Sequence, residues 1–330
     1  MNEPRMAGNR VRVPAPLAQR ARELAAGRLT PAVPADAATV ILLRQRAGVE
    51  AYLLRRIRAL EFAPGACVFP GGSVDAEDAD PDIGWAGPSP ADVADRLSTS
   101  PERARALVCA AVRETFEESG VLLAGPSPAA LVDDSAALAR DRHALLTGTT
   151  SFGELLGRRG LMLRADLLVP WTRWLTPEAS HRRFDTWFFA AALPPGQTAA
   201  LEAPADHPDQ GEPHHSEPHH SEPGHGEPGH GEPGHGESDQ GTWLRPAGAL
   251  EAARTGEITL LPPTAVTLGE LARYDSVTAV LAQRRTMTLR MPRVMTDGDQ
   301  AWLAMPPPEP PPGHPQQSQP QQSHPQQSQP

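Results

Sequence analysis

The chain has 330 residues, a formal net charge of −10, 39% hydrophobic and 5% aromatic residues, both fractions low for a fully folded chain of this size. All 30 basic residues are Arg, which excludes chemistry that needs a lysine, such as a Schiff base or a P-loop. Two short stretches carry the imbalance: residues 204–233 and 306–330 hold 17 of the 38 prolines, and nine acids at 206–240 together with Glu309 match the whole net charge. The remaining body is neutral, so it is no nucleic-acid platform, although a small anionic substrate stays admissible. Cys67 and Cys109 lack metal-ligand spacing and cannot build a disulfide framework; both read as buried thiols. No apolar run reaches the roughly 18 residues of a membrane span, and residues 1–28 lack the apolar core of a secretory signal. A cytoplasmic protein is expected.

In chain order, residues 1–35 read as a loose extension with a short helix near 17–26. Residues 38–43 and 51–56 read as strands about the turn Arg46-Ala47-Gly48. A third strand at 66–69 runs into Pro70-Gly71-Gly72, a sharp stop. Residues 76–100 have the acidic, Pro/Gly/Ser-rich composition of a loop. Ser100-Pro101-Glu102 then opens a helix that closes at Gly120. Beyond it, 121–123 reads as a strand, 128–145 as largely helical, and 166–175 and 184–193 as strands. From Glu212 a five-residue repeat, Glu-Pro-His-His-Ser and then Glu-Pro-Gly-His-Gly, fills 206–240 as a disordered insertion. Structure resumes with a strand at 242–244 and helices at 246–253 and 263–273. Strands at 286–305 are expected to pack on the domain, and 306–330 form a disordered Pro/Gln tail. The alternation of strands and helices over 36–285 predicts an α/β or α+β sandwich.

The chemistry is concentrated in Arg113-Glu114-Thr115-Phe116-Glu117-Glu118-Ser119-Gly120-Val121. Glu114, Glu117 and Glu118 share one helix face, with about 5–6 Å between Cβ atoms. Two of them stand at the C-terminal end, where the helix dipole disfavours negative charge. Such an arrangement costs stability unless a hard divalent cation relieves it, and Mg²⁺ or Mn²⁺ suits three oxygen ligands. A merely solvated acidic face would show the same three acids. The helix-ending Gly120, the adjacent Arg113 and the strand-borne Gly71-Gly72 favour a metal site.

On these residues the sequence resembles the Nudix hydrolase family. Its signature runs Gly, five residues, Glu, seven residues, then Arg-Glu-apolar-x-Glu-Glu-x-Gly-apolar. Gly72 fits the opening glycine and Arg113–Val121 the closing nine, with Thr115 in an apolar slot. Gly72 and Arg113 stand 41 residues apart, far more than in the signature, and the surplus falls in the expected loop at 79–100. Asp78, six residues after Gly72, is the candidate for the first box acid; counted back from Arg113 that position is Arg105. A split box of this kind resembles the Nudix-19-type acyl-coenzyme A diphosphatases. So do Leu53-Leu54-Arg55-Arg56, Phe62-Ala63-Pro64-Gly65-Ala66, Arg183-Phe184-Asp185-Thr186-Trp187 and Leu261-Pro262-Pro263-Thr264. Arg56 and Gly65 fit the coenzyme A motif of related enzymes, whose second Arg falls here on Glu61.

The resemblance implies a Nudix α/β/α sandwich with a mixed β-sheet between helices. It implies Mg²⁺ or Mn²⁺ held by Glu114, Glu117 and Glu118, with Arg113 orienting a glutamate and Gly72 and Gly120 shaping the box. Arg56, Gly71 and Gly72 would contact a small-molecule diphosphate substrate, with coenzyme A or an acyl-coenzyme A favoured. Glu118 is the first candidate for general base, ahead of Glu237 and Asp239. Other readings remain: a nucleotide-sugar or dinucleotide pyrophosphatase, a silent nucleotide-binding regulator, and a metal store on the His repeat. A homodimer is compatible with all of them. Trp171, Trp174 and Trp187 could stack on an adenine, but core packing fits them better; His181 shows no partner.

Overall fold

The computed structural model describes residues 11–56, 65–200, 238–297 and 300–305. Most of the His repeat, the Pro/Gln tail, Glu61 and Glu237 therefore lie outside the described residues. In order, the elements are β1 (Val11–Arg12), α1 (Ala15–Ala25), β2 (Ala35–Gln45), β3 (Val49–Arg56), β4 (Ala66–Val68) and β5 (Gly71–Ser73). Next come β6 (Trp85–Ala86), α2 (Pro90–Leu97), α3 (Pro101–Ser119), β7 (Ala124–Gly125), α4 (Ala139–Leu146), α5 (Phe152–Arg159), β8 (Met162–Arg164), β9 (Val169–Leu175) and β10 (Phe184–Ala192). The rest are β11 (Ser238–Leu244), α6 (Pro246–Thr255), β12 (Thr259–Leu260), α7 (Pro262–Leu271), α8 (Val277–Leu281), β13 (Leu289–Arg290), β14 (Arg293–Asp297) and β15 (Gln300–Ala304).

The central sheet runs β12-β4-β3-β2-β10-β9-β13, with β11 added on β3 and β5 on β2. It is mixed: β10 runs parallel to β2 and antiparallel to β9. Alternation along β2 and β3 divides the apolar side chains between two cores. Ala38, Val40, Leu42, Tyr52 and Leu54 face α3. Ile41, Leu43, Leu53 and Phe69 pack with residues of α6, α7 and α8 on the other side. The result is the expected α/β/α sandwich with a mixed sheet between helical layers.

Helix α3 is the pillar of one layer. Ser100 caps it by accepting the Arg103 N–H at 3.2 Å, Pro101 occupies the first turn, and Gly120 ends it at φ 70. Thr115, fully buried in an apolar slot of the box, donates its hydroxyl to the Ala111 carbonyl at 2.7 Å, so the position holds a satisfied group.

Several local expectations need correction. The stretch 76–100 is not all loop: α2 forms within it because Ser89 and Asp92 make a capping box and Val93, Ala94 and Leu97 form a buried stripe. That stripe is masked in the sequence by the surrounding Pro, Asp and Ser. Residues 121–123 are buried but form no strand; the Gln197 side-chain amide takes both the Leu122 N–H (2.8 Å) and its carbonyl (3.0 Å), where a neighbouring strand would bond. Helix in 128–145 is confined to a 3-10 turn at Ser135–Leu138 and α4, since Asp134 caps Ala136 at 2.9 Å and sets a late start. The strand expected at 166–175 begins at Val169, because Asp166 sits in a 3-10 turn held by Arg164. The strand expected at 66–69 does stop before Pro70, as β4 (Ala66–Val68), but Gly71-Gly72 then opens a further strand, β5, which pairs with Ala37–Thr39 of β2.

Candidate active site at the end of helix α3

The last two turns of α3 lie beneath β5, and the glycines of β5 allow this closeness. A Cβ on Gly72 would collide with the Glu114 carboxylate, and one on Gly71, at φ 158, would come within 2.6 Å of the Thr39 Cα. The freed Gly71 N–H donates to Glu118 Oε2 at 2.7 Å. One strand thus cradles Glu114 and fixes Glu118.

Arg113 organises the other carboxylates. Its Nη1 donates to Glu114 Oε1 at 2.9 Å and reaches the Glu117 oxygens at 3.4 Å. Its Nε and Nη2 donate to the two oxygens of Asp78 at 3.0 and 2.9 Å, and Nη2 also donates to the Ser73 carbonyl. Asp78 is only 2% exposed, so a carboxylate from before the inserted segment is drawn into the box as Arg113's fork partner. Arg105, at the alternative position, instead donates to the carbonyls of Asp80 and Ile83 and lies over Trp85, pinning the insertion to α3.

The electrostatics are those of crowded, buried anions. Burial pushes the Glu114 carboxyl well above its usual range; Arg113 opposes this, while Glu117 and Glu118 push it further. Burial also raises Glu117, again against the pull of Arg113. Burial disfavours the charge of Arg113, but its bond to Asp78 and the surrounding carboxylates outweigh this and hold it protonated. Cys109, on the buried side of α3, is raised by burial and then by neighbouring Asp78, so it remains a protonated thiol.

The donor set suits a hard divalent cation: three carboxylates on one helix face, two of them driven toward protonation by burial and by neighbouring acids. As they stand, Glu114 and Glu117 turn to Arg113 and Glu118 to Gly71, and no three acidic, His or Cys side chains among the described residues surround one point. Their i, i+3, i+4 spacing on α3 keeps all three on one helix face.

Arg56 ends β3, half-buried, on the face shared with Tyr52 and Leu54, which is the α3 side of the sheet. Asp239 falls at an irregularity in β11, between Ser238 and Gln240, which pair with Arg56 and Arg55. Trp171 and Trp187 are fully buried and Trp174 nearly so, which makes them core residues. His181 is exposed in the connection between β9 and β10. Sequence reasoning missed Arg142 and Gly241. Arg142 donates to the Glu117 carbonyl from α4, yet nothing in the charged run Arg140-Asp141-Arg142 distinguishes it. Gly241 leaves room for the Tyr52 hydroxyl, with which a Cβ would collide.

The family model described as the NUDT19 Nudix domain matches residues 88–212, which include the whole Arg113–Val121 segment. Over that segment the chain is similar to the Nudix hydrolase family. The curated Nudix relatives it matches include the human acyl-coenzyme A diphosphatase NUDT19, 28% identical over 268 residues, 70% of this chain and 62% of that protein. The Xenopus laevis protein of the same name is 31% identical over 180 residues, 44% of this chain and 47% of that one. The chain thus spans less than two thirds of these relatives' length. Among solved structures, a NUDIX hydrolase from Alicyclobacillus acidocaldarius superposes with a TM-score of 0.56 at 23% identity, over 78% of this chain and 99% of that one. This likeness supports the Nudix fold of the described sandwich.

Proposed function

We propose that the chain is a divalent-metal-dependent diphosphate hydrolase whose favoured substrate is coenzyme A or an acyl-coenzyme A. The observation that carries this reading is the carboxylate face of α3 lying under Gly71 and Gly72, with Arg113 locked to Asp78 behind it. Glu114, Glu117 and Glu118 would hold Mg²⁺ or Mn²⁺. The bound ion supplies positive charge against the diphosphate and acidity to the attacking water.

The chain's own residues supply the rest. Arg113 would orient Glu114 and Glu117 through its hydrogen bonds to their carboxylates. The glycine strand keeps bulk away from the anhydride, and Glu118 takes the proton that the water loses. The water oxygen bonds to one phosphorus, the bridging P–O bond of the anhydride breaks and the other phosphate leaves with the bridging oxygen, so each product ends in a phosphate monoester. From coenzyme A these are 4′-phosphopantetheine and adenosine 3′,5′-diphosphate. The names of the human and Xenopus relatives support this substrate class, as does the position of Arg56 on the α3 side.

The test is direct. Purified protein is incubated with Mg²⁺ or Mn²⁺ and coenzyme A, acyl-coenzyme A, nucleotide sugars or dinucleotides, and products are identified by mass. Release of 4′-phosphopantetheine is the expected result. Cleavage of nucleotide sugars or dinucleotides alone would move the substrate and leave the hydrolase standing. No cleavage of any of them with either metal would make the chain a silent binding module.

A further inference from the structure

Helix α3 ends in an imbalance that its own sequence does not correct. Its last turn holds no basic residue, while Glu114, Glu117 and Glu118 crowd the end where unpaired carbonyls already carry partial negative charge. The compensating cation arrives from another helix. Arg142 of α4, 25 positions later, donates from Nε and Nη2 to the Glu117 carbonyl at 3.0 and 2.8 Å. Its Nη1 donates to the Ala200 carbonyl at 3.1 Å, and the Ala200 N–H donates to the Ser119 carbonyl at 2.8 Å. One buried guanidinium therefore joins α3, α4 and the chain that leaves β10.

Two neighbours show how closely this grip is fitted. Gly120 is confined to glycine twice over: its φ is 70, and a Cβ there would stand 3.0 Å from Arg142 Nη1. Tyr52 reports that Arg142 and Glu118 share one environment. Burial raises its hydroxyl pKa, and the charge of Arg142 lowers it while that of Glu118 raises it. Arg142 is itself anchored, since adjacent Asp141 accepts from Arg158 Nη2 at 2.8 Å and Arg159 Nε at 3.0 Å, fastening α4 to α5.

We propose that Arg142 is a positioning residue for the metal carboxylates. It caps the carbonyl end of α3 from outside and sets the stance of Glu117 and Glu118. Arg113 acts on the carboxylate oxygens; Arg142 acts on the backbone that carries them, and its charge offsets the negative helix end where a cation is to be gathered. This rests on the metal-dependent reading above.

The experiment compares wild type, Arg142→Gln and Arg142→Lys as full-length protein. Mn²⁺ binding is read by electron paramagnetic resonance, kcat and KM on the substrate the panel identifies, and folding by circular dichroism. In folded Arg142→Gln, Mn²⁺ affinity and kcat should each fall about tenfold or more, as for other partners behind metal ligands, with KM moving less than about threefold. Arg142→Lys keeps the cation without the three-way grip and should recover part of both losses. Wild-type Mn²⁺ affinity and kcat in folded Arg142→Gln overturn the proposal, as they do in Arg142→Lys if only that variant folds. A wild-type protein that binds no Mn²⁺ is a separate result: it removes the metal-dependent reading itself.

Discussion

Arg113 and Asp78 are 35 residues apart and on opposite sides of the inserted segment, yet they meet in a two-pronged ion pair with bonds of 3.0 and 2.9 Å. Both are buried, Asp78 almost completely. The insertion therefore leaves the box closed: β5 and the turn after it deliver the acid, and α3 delivers the base. Removing one member of a buried pair strands the other's charge. Asp78→Ala should cost about 3 kcal/mol, the low end for such pairs, because Glu114, Glu117 and Asp75 still face Arg113. Urea unfolding measures it, and a loss under about 1 kcal/mol would mean that the box is held by other contacts.

Glu117→Gln and Glu118→Gln should each abolish metal-dependent turnover while leaving the fold intact. Burial raises the Glu117 carboxyl, so a neutral amide there removes an unfavourable charge, and the melting temperature of that variant should hold or rise. Loss of a metal ligand costs far more barrier than the ~1.4 kcal/mol that equals one decade in rate. A folded variant that keeps more than about a tenth of wild-type kcat would sink the assignment of that residue.

The box helix was legible because its signals are local. The Ser100-Pro101 start, the Gly120 stop and the i, i+3, i+4 acids are all written in the 21 residues from Ser100 to Gly120, and the structure keeps each of them. The layers followed from alternation in β2 and β3, where successive apolar residues go to opposite cores. What stayed hidden is non-local. Gln197 stands in for a strand beside Leu122 from 75 residues away, and Arg142 caps α3 from a run of charges that looks solvated. No period or cap marks a side chain whose partner is a distant carbonyl. The sequence marks Gly71-Gly72 as a strand stop and, through the resemblance, as the opening of the box, but the need for it comes from the Glu114 carboxylate and the Thr39 backbone across the site.

Asp141 links acid stability to the site. Burial raises its carboxyl, but its bonds and charge pairing with Arg159 and Arg158 outweigh this and hold it below the usual value of 3.8. A carboxylate depressed in the folded state adds stability that is complete above its unfolded pKa and is lost as pH falls through the folded one. Asp141→Asn should therefore destabilise the protein at neutral pH. The size should be about 1 kcal/mol, since Arg158 and Arg159 are 55% and 46% exposed and solvent screens the pair. The difference from wild type should shrink as pH is lowered below 3.8. Thermal unfolding from neutral to acid pH reads both, and a gap that stays constant across that range would exclude the ion pair as its source.

Arg56 gives the sharpest test of substrate. It ends β3 on the face of Tyr52 and Leu54, the side of the sheet over which α3 lies. From there a guanidinium can meet a phosphate outside the carboxylate cluster, such as the 3′-phosphate of coenzyme A, and a charge-assisted pair of this kind contributes about 1.5–3 kcal/mol. Arg56→Ala should then lower kcat/KM for coenzyme A by roughly ten- to a hundredfold, the rate equivalent of that energy. Dephospho-coenzyme A lacks the 3′-phosphate and should lose much less. Equal losses on both substrates in Arg56→Ala would instead place that side chain at the shared diphosphate or in the structure of the strand end.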